Sequence, residues 1–158
     1  MDILSEIIAN KRIEIEQPAF FQTLEKVVEN LPHVGNSCDS CDAFIPNPGK
    51  IDFIAALKAA PVGLIAEVKR QSPSAGAIRT PFNPAEIARA YEASGAQAVS
   101  CLMDNKYFGG GEEQWSEVRA ATNLPMLYKE FVIDPRQIFH ADALGASAVL
   151  LIVAALTD

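Results

Sequence analysis

The chain has 158 residues, 49% of them hydrophobic, enough to bury a core and too many for a disordered polymer. Its formal charge of −7 predicts no nucleic-acid and no membrane partner, because a nucleic acid or an anionic bilayer calls for a basic footprint. No basic leader opens the chain, no run of 18 apolar residues occurs and three cysteines do not make a disulfide framework, so a cytoplasmic protein is expected.

Residues 2–16 place Ile3, Leu4, Ile7, Ile8 and Ile15 on one side of a helix, which Pro18 interrupts. A second apolar stripe over residues 20–31 predicts another helix, and the Pro-, Gly-, Asn- and Ser-rich residues 32–50 predict a loop. That loop holds His33, Cys38 and Cys41. Three such ligands without a second Cys pair fall short of a zinc site, so no metal is assigned. Asp52 can cap a short helix over residues 53–59.

From residue 62 the pattern changes. Residues 62–69 read as a strand, and Asn83-Pro84-Ala85-Glu86 then opens a helix with Asn at N-cap and Pro at N1. That helix should run to Ser94 and stop at Gly95. Strands are predicted over residues 98–103, 126–132 and 148–153. Between them lie the glycines 109–111, a helix over residues 114–121, and a second capped helix from Asp134-Pro135 to Gly145.

An internal repeat links the two capped helices. "NPAEIARAYEASGAQAV" (83–99) aligns with "DPRQIFHADALGASAV" (134–149), and their terminal glycines are 50 residues apart. Strands alternating with helices of this length imply parallel strands with right-handed crossovers, two βα units per repeat. The fold class is α/β. Its expected divisions are a helical extension and loop over residues 1–50, and about four barrel strands over residues 51–158. Four parallel strands alone leave open edges, so the chain reads as an incomplete barrel that could self-associate through them.

In a β/α barrel the chemistry sits at the C-terminal strand ends. The first strand brings Glu67 and Lys69, followed by the Ser72-Pro73-Ser74 turn. The second brings Asp104 and then Lys106-Tyr107-Phe108-Gly109-Gly110. The third brings Lys129, Glu130 and Phe131. Glu67 and Lys69 are two residues apart, so on a strand they share a face. Two lysines and a carboxylate at one rim suit an anionic substrate and acid–base chemistry.

At these residues the chain resembles the indole-3-glycerol phosphate synthase family. The stretches "LIAEVKRQSPSAG", "NKYFGGG", "LPMLYKEFVIDPRQI" and "GASAVLLIVAAL" carry the resemblance over residues 50–158. The resemblance implies a (β/α)₈ TIM barrel with extra N-terminal helices. It also implies conversion of 1-(2-carboxyphenylamino)-1-deoxyribulose 5-phosphate to indole-3-glycerol phosphate in tryptophan biosynthesis, with loss of CO₂ and water and with no cofactor. It assigns Lys129 as the general acid, Glu67 as a catalytic carboxylate and Lys69 as the partner of substrate anionic groups. Ser72 would contact the phosphate, and Phe108 and Phe131 would hold the anthranilate ring.

Two departures stand out. Cys101-Leu102-Met103-Asp104 replaces the commoner Val-Leu-Thr-Glu/Asp. The resemblance also places a second catalytic Glu, an Asn and part of the phosphate grip on strands beyond Asp158. One rival is therefore a non-catalytic half-barrel that assembles with itself or with a partner carrying strands five to eight. Another is a neighbouring phosphosugar isomerase, which would need Cys101 in an acid–base pair. Cys101 is otherwise read as a buried core residue, and Trp115 and His140 as structural or surface residues.

Overall fold

The computed structural model describes residues 2–18, 20 and 51–156. The stripe over residues 21–31, the loop with His33, Cys38 and Cys41, and the C-terminal Thr157 and Asp158 lie outside the described residues.

Four parallel strands form the central sheet of the described residues: β1 (Ile65–Val68), β4 (Ala98–Leu102), β5 (Met126–Lys129) and β6 (Ala148–Val149). They neighbour one another in chain order, as successive strands of a β/α barrel do. After β1 comes a small hairpin of β2 (Gln71–Ser72) and β3 (Gly76–Ala77). The crossovers are α3 (Pro84–Ala93), the pair α4 (Asn105–Phe108) and α5 (Glu112–Ala121), and α6 (Pro135–Ala143). Ahead of the sheet lie α1 (Ile3–Glu14) and α2 (Phe53–Lys58).

Local chemistry sets the helix starts. Asn83 Oδ1 accepts from Glu86 N at 3.0 Å, and Asp134 Oδ1 accepts from Arg136 N at 2.9 Å in a capping box with Gln137. Asp52 caps α2 through Ala55 N at 2.9 Å. Both repeat helices end as expected, with Gly95 and Gly145 at φ 84° and 76°.

The core lies between the sheet and the helices. Val68, Val99, Cys101, Met103, Met126 and Tyr128 alternate along their strands and face Ala88, Trp115, Val118 and Ala141. The Trp115 indole N–H donates to Leu144 O at 2.9 Å, and its ring meets Tyr128 edge-on at 5.9 Å. His140 is buried too, with Nδ1 3.0 Å from the Tyr128 hydroxyl and Nε2 3.0 Å from Glu112 Oε1. Both residues are structural.

Cys101 belongs to this core, on the helix side of β4 and away from the Glu67 face. Burial pushes its thiol pKa up to about 11, although the Gln114 side-chain amide donates to the sulfur. That placement removes the acid–base pair an isomerase reading needs. With Cys38 and Cys41 replaced by serine, the native chain should take up a thiol reagent only at the rate of unfolding. Rapid labelling of Cys101 in native buffer would contradict its place in the core.

All four sheet strands are shorter than their apolar runs predict, β4 by a single residue. β1 begins at Ile65 rather than residue 62, β5 ends at Lys129 rather than residue 132, and β6 covers two residues rather than six. β1 and β6 are edge strands with one neighbour each, so their outer residues lack a ladder to join. At β5 the Phe131 N–H bonds the Glu130 side chain at 2.7 Å instead of a neighbouring strand. The residues 105–108 helix was not predicted, although Asp104 is an ordinary N-cap signal.

Candidate active site

Alternation along β1 turns Val68 into the core and leaves Glu67 and Lys69 on the opposite face. The same alternation on β5 buries Met126, Tyr128 and Glu130, and turns Leu127, Lys129 and Phe131 the other way. β4 lies between these strands, with Glu67 opposite Ser100 and Lys129 opposite Leu102. The Lys129 side chain crosses β4 to reach the carboxylate. Its Nζ donates to Glu67 Oε2 at 2.7 Å, and Lys69 Nζ lies 2.9 Å from Oε1.

One carboxylate thus holds two ammonium groups, one on each oxygen, and the group carries a net positive charge. All three side chains are about one-third exposed, at 30–32%. A ligand can reach them. Burial pushes the Glu67 carboxyl up, but the hydrogen bonds and charges of Lys129 and Lys69 outweigh it and hold it below the ordinary carboxylate range. At neutral pH this position is therefore anionic.

Phe108 and Phe131 also come together. Phe108 closes α4 and Phe131 follows β5, with ring centroids 6.0 Å apart and planes tilted by 32°. The pair forms an apolar wall that includes Phe131, two residues after Lys129 and turned to the same side of the sheet. Asp104, expected as a site carboxylate, instead points inward. It is fully buried and accepts the Tyr107 and Phe108 N–H groups at 2.7 and 3.3 Å, fixing the turn that carries Phe108.

Ser72 lies in the β2–β3 hairpin, whose Ile78 N–H donates back to Arg70 O at 3.0 Å. Its hydroxyl oxygen accepts from Ala75 N at 3.2 Å, a bond that leaves the hydroxyl proton for another acceptor. The Arg70 guanidinium lies over the Phe82 ring at 4.7 Å, anchoring the start of this hairpin. A cavity of about 380 Å³ runs along β1 and is lined by Glu67, Lys69, Arg79, Phe82 and Tyr91 among others. Lys129 and the two phenylalanines lie outside it.

The glycine loop is more than a spacer. A Cβ on Gly110 would sit 2.1 Å from Leu102 O, closer than any side chain tolerates. Gly109 ends α4 at φ 65°, and a Cβ there would come within 3.0 Å of the Arg70 side chain and 3.3 Å of that of Gln71. The missing Cβ atoms let α4 and its phenylalanine lie close beside the hairpin.

The sequence reading missed Lys11. It sits on the buried side of α1 with Ile7 and Ile15, only 3% exposed, and its Nζ lies 3.0 Å from Glu130 Oε2 and 3.2 Å from Asp104 Oδ2. The signal was a cation in the middle of an apolar stripe at four-residue spacing.

The family model for indole-3-glycerol phosphate synthase matches residues 4–158 of the chain. The chain belongs to that family. An indole-3-glycerol phosphate synthase from Microcystis aeruginosa is 42% identical over 165 residues, covering 99% of this chain and 49% of the relative. One from Acidithiobacillus ferrooxidans is also 42% identical, over 99% of this chain and 56% of the relative. One from Geobacillus thermodenitrificans is 49% identical over 115 residues, which are 72% of this chain and 45% of the relative. The chain spans about half the length of the curated relatives it matches. Its four parallel strands in chain order form part of the family's TIM barrel. Among the described residues, no helix is long and apolar enough to cross a membrane.

Proposed function

We propose that this chain supplies the first half of an indole-3-glycerol phosphate synthase active site. The reaction is ring closure of 1-(2-carboxyphenylamino)-1-deoxyribulose 5-phosphate, with loss of CO₂ and water, in the cytoplasm. The observation that carries the reading is the Lys69–Glu67–Lys129 cluster, two ammonium groups on one carboxylate at the strand ends. A substrate with a carboxylate and a phosphate needs positive charge, and a departing hydroxyl needs a proton donor.

In this reading Lys129 is the general acid, giving its proton to substrate oxygen during closure and dehydration. Glu67 orients Lys129 through the 2.7 Å bond and is placed to take back a proton. Lys69 faces the anionic groups of the substrate, and Ser72 offers its hydroxyl proton to the phosphate. Phe108 and Phe131 hold the anthranilate ring. Their apolar faces strip water from its carboxylate, which favours a charge-dispersed transition state for loss of CO₂.

A second reading is favoured by the bare sheet edges. Leu64, Ile65 and Leu151 are 52%, 39% and 51% exposed at the β1 and β6 sides. In that reading the chain is inactive until further strands cover these residues. The two separate in one assay: the chain is incubated with the substrate and indole fluorescence is followed. Turnover by the chain alone supports a self-sufficient site. Turnover only after a polypeptide carrying the remaining strands is added supports the half-site reading. No turnover in either mixture would overturn the proposed reaction.

A further inference from the structure

Lys11 makes a contact that folding alone does not ask for. On α1, Ile7, Lys11 and Ile15 are 3%, 3% and 6% exposed, so the ammonium lies mid-way along an apolar face. An aliphatic side chain would satisfy that face at lower desolvation cost. The ammonium instead meets two buried carboxylates from different strands. Glu130 Oε2 accepts from it at 3.0 Å, and Asp104 Oδ2 lies 3.2 Å away as an ion pair without an aimed N–H. Glu14, on the same helix, is its third partner.

Both buried carboxylates hold backbone that carries the proposed site. Glu130 stands between Lys129 and Phe131, and its Oε1 accepts the Phe131 N–H at 2.7 Å. Asp104 Oδ1 holds the Tyr107 and Phe108 N–H groups. One oxygen of each carboxylate fixes a site segment, and the other oxygen faces the same ammonium. Two further contacts seat α1 on α4: the Tyr107 hydroxyl donates to Glu6 Oε1 at 3.1 Å, and Lys106 Nζ donates to Asn10 Oδ1 at 2.9 Å.

We infer that Lys11 is a positioning residue: its ammonium draws Glu130 and Asp104 together and so sets Phe131, Phe108 and the end of β5 in register. The inference rests on the proposed reading of the site for its catalytic meaning, and on geometry alone for its structural content. Without the ammonium, two buried carboxylates would face each other, and each would turn away or take up a proton. The amides they hold would loosen with them.

Amide hydrogen exchange on the full chain tests this without turnover. In Lys11→Met the Phe131, Phe108 and Tyr107 amides should exchange about 10-fold faster, the effect of losing one such bond. The Val99 amide, bonded to Pro125 O at 3.0 Å within the sheet, should keep its rate. Lys11→Arg, which retains the charge, should restore all three. A uniform change across these amides, or none, would overturn the inference. Should Lys11→Met fail to fold, Glu130→Gln replaces it. That variant leaves Lys11 with Asp104, so Phe131 should loosen while Tyr107 and Phe108 stay protected; a common shift of all three would again count against it. Where turnover is present, Lys11→Met should lower kcat by about 10- to 100-fold with little change in KM, the mark of misplacement. Absence of turnover would count against the proposed reaction and leave the exchange result to stand by itself.

Discussion

Lys129→Ala is expected to lower turnover of the carboxyphenylamino-deoxyribulose phosphate by about 10²–10⁴-fold, the range a positioned general acid contributes. The fold should survive. Lys129 is one-third exposed at the end of β5, and its one ion pair among the described residues reaches a carboxylate that keeps Lys69 at 2.9 Å. Truncation therefore leaves no buried charge unpaired, and the helix signal in circular dichroism should match that of the unmodified chain. The check is indole fluorescence in the mixture that shows turnover, together with that spectrum. Near-normal turnover would remove Lys129 from the acid role. Lost turnover with a lost helix signal would show that Lys129 also holds the packing around β5.

The parts of this structure that were legible in the sequence are those set by neighbouring residues. Asn83 and Asp134 cap helices because a short side chain can reach amides two or three residues ahead, and Gly95 and Gly145 end them because only glycine adopts their backbone easily. The shared face of Glu67 and Lys69 follows from strand alternation alone. Pairing of Glu67 with Lys129 needed more: it depends on β5 lying two strands from β1, which the repeat implies but does not locate to a residue. Least legible were choices made by distant partners. Asp104 looked like a site carboxylate at a strand end. It turned inward because Lys11, on a helix outside the sheet, offered a counter-charge there. The strands β1 and β6 stop short of their apolar runs for a similar reason, since an apolar run does not reveal whether a neighbouring strand is present.

Glu67→Gln separates holding charge from holding shape. Glutamine keeps the size of the side chain and one carbonyl oxygen, but it cannot neutralise two ammonium groups. Lys69 and Lys129 would then repel across the gap that the carboxylate now fills, and Lys129 would lose the partner that aims it. Turnover should fall about 10²-fold or more, because both proton return and orientation are lost. The effect on stability should be small, at most about 1 kcal/mol, for partly exposed ion pairs screened by water. Its pH dependence has a fixed sign. The Glu67 carboxyl is held below its ordinary range in the folded chain, so its stabilising share is fully present above the ordinary value of 4.5. That share disappears as pH falls through the depressed folded value. Urea midpoints of the original chain and of Glu67→Gln should therefore differ most near neutral pH and converge in acid, as the pH falls through the depressed folded value. A gap that widened in acid would mean that the carboxylate is not held by the two lysines in the folded chain. The ammonium–carboxylate–ammonium arrangement could then not be the basis of the chemistry.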